Sequence, residues 1–438
     1  MKVTRRVLAL LAVGLAVSVN AEAAAIKLSL DDALMMAHDR NTALKAAKAR
    51  VDQADAMIVQ SRQAYLPKVQ LSETFTHSND PGASLVFKLQ QEIANPQTDF
   101  APDALNHPPA INDFHTSLQV MQPLLNFDAM IGGPLAKSAK RAQEFMSVRA
   151  VETIDLNVKK AYFGLIMARK NVAAIEQSIG IMQGYSSEAA KGFKVGILTK
   201  SDKLSTDVRL AELREQKLMM QNEMRNAEDA LRTMLKLDAD DTVVPTGDLI
   251  VDGVPSAVKN VPAGRSDLKA LEAFKEVTGY QHDMAKAQYL PRLNAFAQQN
   301  WHDASFLGTE GSSWTVGLNM QWNIFDGMAT KGKVQEAKAK QLEARYNYEA
   351  AREQSVMEVN KAQRSMQTSQ QRVEVARKSL DEAKVSLDFI GEQFRTGMAM
   401  TFELLMREQA FTWAKLRINQ AKYDYCVAKS ELEYYAGR

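Results

Sequence analysis

Nothing constrains the fold of this chain more than its internal duplication. The stretch AYLPKVQLSETFTHS (residues 64–78) returns as QYLPRLNAFAQQNWH (288–302), and QPLLNFDAM (122–130) returns as MQWNIFDGM (320–328). A third stretch, KGFKVGILTKSD (191–202), returns as EQFRTGMAMTFE (392–403). Repetition of this kind makes each copy one structural unit. Each copy reads in the order helix, Tyr-Leu-Pro, strand, loop, strand, Phe-Asp, very long helix, Phe-x-x-Gly, helix. The first copy is placed at 24–236 and the second at 265–438. Between them, 237–264 carries Pro245, Pro255 and Pro262 and is expected to be non-helical. The loop between strands is longer in the first copy, about 79–109, and rich in Pro, Asn and Asp.

Strands are expected at about 65–78 and 112–127 in the first copy and 289–302 and 313–326 in the second. Their side chains alternate: Trp314, Val316, Leu318, Met320, Trp322 and Ile324 interleave with Thr315, Gly317, Asn319, Gln321 and Asn323. Phe114, Leu118 and Val120, and likewise Val69, Leu71 and Phe75, alternate with polar neighbours. One apolar and one polar face on strands of about ten residues suits a barrel with lipid outside and water inside. A soluble sandwich would show the same alternation. Supply favours the barrel, because four strands are present and no other segment reads as free to cover them. An open edge cannot face lipid, so the strands must close with strands from other copies.

The helical tracts carry a different period. Ala161, Leu165, Ala168, Val172, Ile175, Ile179 and Met182 step by four and three residues. The same seam recurs as Ala362, Met366, Ser369, Val373, Ala376, Leu380 and Ala383. This is a coiled-coil register. From Lys333 to Ile390 there is neither Gly nor Pro, a run of roughly 87 Å at 1.5 Å per residue. After these runs Gly196 and Gly397 supply the backbone freedom to reverse direction. Thr199 with Asp202 fits a capping box, and Thr401 with Glu403 a looser cap with an acidic first turn. Both stretches therefore read as tips of antiparallel helical hairpins.

The N-terminus reads as an export signal over 1–23. Lys2, Arg5 and Arg6 precede an apolar run at 7–19, and Ala21-Glu22-Ala23 is a small-x-small cleavage site. Its removal takes away three basic residues and one acidic residue, so the net charge of +2 becomes zero. A neutral chain without a basic block carries no footprint for nucleic acid. Cys426 is the only cysteine, so no disulfide framework is expected.

The doubled Tyr-Leu-Pro, Phe-Asp and Phe-x-x-Gly motifs, in this order over essentially the whole mature chain, resemble the TolC family of outer-membrane efflux channels. The resemblance implies a mainly α protein with a transmembrane β part. It implies a homotrimer in which each protomer gives four strands to one twelve-stranded barrel, above a periplasmic tunnel of paired helices. The segments 237–264 and after Ile26 would form an equatorial belt. The family's role is an outer-membrane exit duct of a Gram-negative bacterium, extending into the periplasm, in a tripartite efflux or type I secretion system. Its partners would be a periplasmic adaptor, an inner-membrane pump of RND or ABC type, and outer-membrane lipid. The family often places Arg directly before the aromatic residue of the tip. Here Gly192 and Gln393 stand there, and the basic residues Lys194 and Arg395 follow the aromatic.

By the same resemblance Glu403 lines the periplasmic entrance, with Asp202 as its counterpart in the first copy. Three such carboxylates about 7 Å apart would repel by roughly 2 kcal/mol per pair at an effective dielectric of 20, and less in a wet pore. That attracts cations without holding a gate alone. Helix capping explains the same two acids. The tips, with Phe193, Gly196, Ile197, Leu198, Phe394, Gly397, Met398 and Met400, are candidates for adaptor docking, although packing within each tip would also use them.

Enzyme-like signals are weak. GMATKGKV (327–334) fits Gly-x4-Gly-Lys, but Val334 replaces the Ser or Thr that would hold magnesium, and the preceding strand alternates. The six histidines show no ligand spacing. No catalytic residue, cofactor or metal site is expected. The rival reading is a periplasmic coiled-coil adaptor or scaffold of an export machine, which would lack paired strands with a lipid-facing side.

Overall fold

The computed structural model describes residues 25–253 and 264–437; the expected export signal, and the part of the inter-repeat segment holding Pro255 and Pro262, lie outside them. The chain divides into two units.

One unit comprises Met1–Asn41, Asp155–Val254 and Met366–Ser430. It contains β1 (Ala25–Leu28) and α1 (Leu30–Arg40), which opens on a capping box from Ser29 to Asp32. The other unit comprises Thr42–Ile154, Pro255–Ser365 and Glu431–Arg438. It contains α2 (Thr42–Ser61), β2 (Lys68–Ser78), α3 (Pro81–Gln90), α4 (Pro102–Asn106) and β3 (Ile111–Leu125). Then comes α5 (Phe127–Lys194), whose residues from Asp155 onward belong to the first unit. α6 (Lys200–Leu235) and β4 (Thr242–Pro245) follow in the first unit. α7 (Ser266–Ala287), β5 (Arg292–Asp303) and β6 (Gly311–Gln321) lie in the second. α8 (Ala329–Arg395) and α9 (Thr401–Ala436) complete the chain.

In the second unit the four long strands form one antiparallel sheet in the order β2-β3-β5-β6. Each repeat gives one hairpin, and β3–β5 pairing, with His115 opposite His302 and Val120 opposite Ala297, joins them. Register places Val69, Leu71 and Phe75 on one face with Leu118, Val120, Trp314, Val316, Leu318 and Met320. On β2 and β6 these side chains are 55 to 73% exposed, so nothing among the described residues covers that face there. The opposite face carries Ser72, Thr74, His115, Ser117, Gln119, Gln298, Asn300, Ser313, Thr315 and Asn319.

The strand limits differ from the sequence expectation for a local reason. Tyr65, Leu66, Tyr289 and Leu290 close turns, through amides donating to Arg62, Lys286 and Ala287 carbonyls, so β2 and β5 start three residues later than expected. Pro67 and Pro291 lack an amide for the ladder. β6 stops at Gln321 because Asp326 turns the chain into α8, accepting from the Thr330 amide at 2.8 Å and hydroxyl at 2.6 Å. The Gly327–Val334 stretch is thus a cap and the first turns of a helix. The stretch expected as loop at 79–109 contains α3 and α4, each with proline in its first turn.

In the first unit, Leu165, Ala168, Val172, Ile175 and Met182 of the α5 seam are buried, as are Met366, Ser369, Val373 and Ala376 on α8. The start of the chain meets the inter-repeat segment: β1 pairs in parallel with β4, Ile26 opposite Val243. Tyr162 locks the pair to α5, donating to the Leu28 carbonyl and accepting from the Gly247 amide, both at 3.0 Å. Cys426 is buried beside the Ile250 carbonyl, and burial pushes its thiol up to about 11, which leaves it inert. Among the described residues no helix is long and apolar enough to cross a membrane.

Candidate functional site

The two Phe-x-x-Gly stretches end α5 and α8 with the same cap. Gly196 and Gly397 have φ of 80° and 73°, the left-handed region that side chains disfavour. In the first tip the Gly196 amide donates to the Phe193 carbonyl at 3.2 Å and the Ile197 amide to Gly192 at 2.9 Å. In the second, Gly397 donates to Phe394 at 3.1 Å and Met398 to Gln393 at 2.8 Å. The motif thus has a backbone meaning: three residues before the left-handed glycine stands the helix carbonyl that its amide must reach.

The tips meet in the first unit. A Cβ on Gly397 would lie 3.7 Å from Ile197 Cγ2. Beneath them Met182, Tyr185, Leu213, Leu387, Phe394 and Leu404 form one core, with Leu198 packed against it. The Tyr185 and Phe394 rings meet edge-on at 6.1 Å. Tyr185 fits because position 391 is glycine; a Cβ there would lie 2.1 Å from its hydroxyl. Arg395 reaches across from α8 to Glu188 on α5 at 3.0 Å and also binds Glu392 at 2.6 Å.

The candidate docking residues therefore separate. Ile197, Met398 and Met400 are each more than 70% exposed, and Phe193 is half-exposed. Phe394 is buried and Leu198 packs on the core, so these two support the turns rather than present a surface. The acids separate as well. Asp202 is committed to its capping box: Thr199 donates its amide at 3.0 Å and its hydroxyl at 2.6 Å to Oδ2. These bonds, with Thr401 close by, hold the carboxyl below its ordinary 3.8. Glu403 is exposed and makes no ion pair among the described residues. Thr401 is not the cap expected of it. α9 begins at Thr401 itself, with the Leu404 amide donating to the Met400 carbonyl, and the buried Thr401 hydroxyl has no hydrogen bond of good geometry.

Two features escaped the sequence reading. One is a groove of about 740 Å³ between the first turns of α6 and α9, where Leu204, Val208, Phe402 and Met406 lie among polar side chains that include Lys200, Glu212 and Gln409. These apolar residues stand 48 to 69% exposed. The other is a buried polar chain. Arg209 Nε binds Glu408 Oε2 at 2.7 Å, Thr412 donates to Glu408 Oε1 at 2.6 Å, and Thr412 meets Ser178 at 2.6 Å. The repeat offers one signal for it, because the residue equivalent to Glu408 in the first copy is the acidic Asp207. Among the described residues no cluster of His, Cys, Asp or Glu is arranged to hold a metal ion.

The model of the outer membrane efflux protein family matches residues 33–235 and 257–438. The alkaline protease secretion protein AprF of Pseudomonas aeruginosa is 21% identical over 344 residues, 74% of this chain and 70% of that protein. The outer membrane protein TolC of Salmonella enteritidis is 20% identical over 411 residues, covering 91% and 79%. The crystal structure of the Campylobacter jejuni CmeC outer membrane channel superposes with a TM-score of 0.80 at 18% identity, covering 93% of this chain and 85% of that one. The chain thus belongs to the TolC family of outer membrane efflux proteins, channel proteins of the outer membrane of Gram-negative bacteria.

Proposed function

We propose that the chain is the exit duct of a tripartite efflux or type I secretion system and works as a homotrimer. Its substrates would arrive from a periplasmic adaptor and an inner-membrane pump. The observation that carries this reading is the four-stranded sheet, whose apolar face is uncovered and whose outer strands β2 and β6 each have one unpaired edge. Three such sheets joined edge to edge make a twelve-stranded barrel, which removes the free edges and gives the apolar face to lipid. The polar face then lines water, and the helices of the two repeats, 24–236 and 265–438, extend into the periplasm.

At the tips, Glu403 is the free carboxylate and Asp202 the structural one, so the cation-attracting ring is assigned to Glu403. Ile197, Met398 and Met400, with the groove of Leu204, Val208, Phe402 and Met406, form an apolar surface suited to the helical hairpin of an adaptor. The pump supplies energy and most of the substrate choice; this chain supplies wall, entrance and docking end. Fractionation with unheated gel electrophoresis tests the reading. A heat-modifiable trimer in the outer membrane is expected, whereas a monomer in the periplasmic fraction would exclude the duct and favour an adaptor or scaffold.

A further inference from the structure

The first-copy loop does not stand clear of the sheet. Register puts Asp113, His115, His302 and Gly311 on the polar face at one end of the sheet. The end of α3 lies directly on that face. A Cβ on Gly311 would sit 1.8 Å from the Gln90 carbonyl oxygen and 3.0 Å from Gln91 Cα, so only glycine admits the segment. Gln91 is 1% exposed, packed against that face. Its Nε2 donates to the Asn112 carbonyl at 2.7 Å and to Asp113 Oδ1 at 2.9 Å.

The seat beneath Gln91 is built. Asp113 is 1% exposed and accepts from His302 Nδ1 at 3.0 Å, which places the proton on that nitrogen because a carboxylate only accepts. The His115 ring stacks on His302 with centroids 4.3 Å apart, and His115 Nε2 reaches Asn300 Oδ1 at 3.0 Å. Gln298 donates to the same Asn300 oxygen and to Ser117 Oγ, so the chain of contacts continues along the polar face. Above the seat the segment is tied to itself by Lys88–Asp99 at 2.8 Å and by the Asn95 amide on Asp99 at 2.8 Å. Glu92, immediately after the insertion, holds a left-handed φ of 59°, and its carboxylate accepts from the Ser312 amide at 3.5 Å.

We infer that residues 81–106 form a lid over the outer end of the polar face, latched by Gln91 in the Asp113–His302–His115 seat. This rests on the proposed duct, in which the polar face lines the pore, so the lid narrows its outer mouth. Opening it breaks the two hydrogen bonds from Gln91 and the one accepted by Glu92, and exposes the buried seat.

The test uses full-length protein purified from outer membranes, with two readouts: hydrogen exchange of amides 81–106 and single-channel conductance in a planar bilayer. Gln91→Ala should speed exchange of those amides by about tenfold, through loss of the two bonds from Nε2, and should raise conductance. Gly311→Ala should act alike by wedging the segment away while leaving Gln91 intact. Unchanged exchange in both variants overturns the latch. Faster exchange with wild-type conductance overturns the placement across the pore. A wild-type protein that forms no pore sinks the duct reading instead, and the exchange readout still decides the latch.

Discussion

Gly397 donates its amide to the Phe394 carbonyl from a left-handed φ of 73°, and Met398 then folds back to Gln393. A β-branched side chain at that φ costs about 1–3 kcal/mol, with the surrounding turn made to bear it. Gly397→Val and Gly196→Val should therefore abolish efflux in a drug-susceptibility assay while trimer assembly persists. Wild-type resistance in both would remove the tips from the docking role. Glu403 and Asp202 are expected to diverge. Glu403→Ala should lower cation selectivity and cation block in single-channel recordings, and identical traces would end the ring. Asp202 has a depressed pKa, so its cap contributes fully above the ordinary 3.8 and is lost as pH falls through the lower folded value. Exchange of the first α6 amides, corrected for intrinsic rates, should rise on acidification in wild type and stay high and flat in Asp202→Ala. At this scale the glycines and the Thr199 cap were legible because each obeys a local backbone rule. The burial of Phe394 against the exposure of Phe193 was not, since both occupy the same place in the motif and differ only in what packs beneath them.

The helices of the first unit are held by more than an apolar seam. Arg209 and Glu408 are 9% and 0% exposed and pair across α6 and α9. Removing Arg209 strands the buried Glu408 carboxylate, which costs about 3–5 kcal/mol, whereas Arg209 without Glu408 still holds Glu212 at 3.1 Å; replacing both by apolar groups is often neutral or stabilising. Arg209→Leu should thus lower the melting temperature sharply, and Arg209→Leu/Glu408→Leu should recover most of the loss. An uncorrected double variant would mean that Thr412 and Ser178, not the ion pair, carry the effect. The coiled-coil seam itself was readable from the four-three spacing. The ion pair was not, because its members are 199 positions apart and no periodicity links an arginine to a glutamate on another helix.

For the molecule as a whole, the uncovered apolar face on β2 and β6 and the two free edges of the sheet set the terms of assembly. The mature protein should require detergent or lipid to stay dispersed, and ultracentrifugation in detergent should give a trimer. A stable single chain in plain buffer would contradict the barrel. Alternation of side chains, the four-three seam, the paired glycine tips and the duplication were all present in the linear order, since each is a relation between near neighbours or between copies of one motif. The joining of the two hairpins through β3 and β5, the parallel meeting of β1 with β4, and the seating of Gln91 on Asp113 came only with folding. They bring together residues that no short-range pattern connects, so chain closure and packing chose those partners.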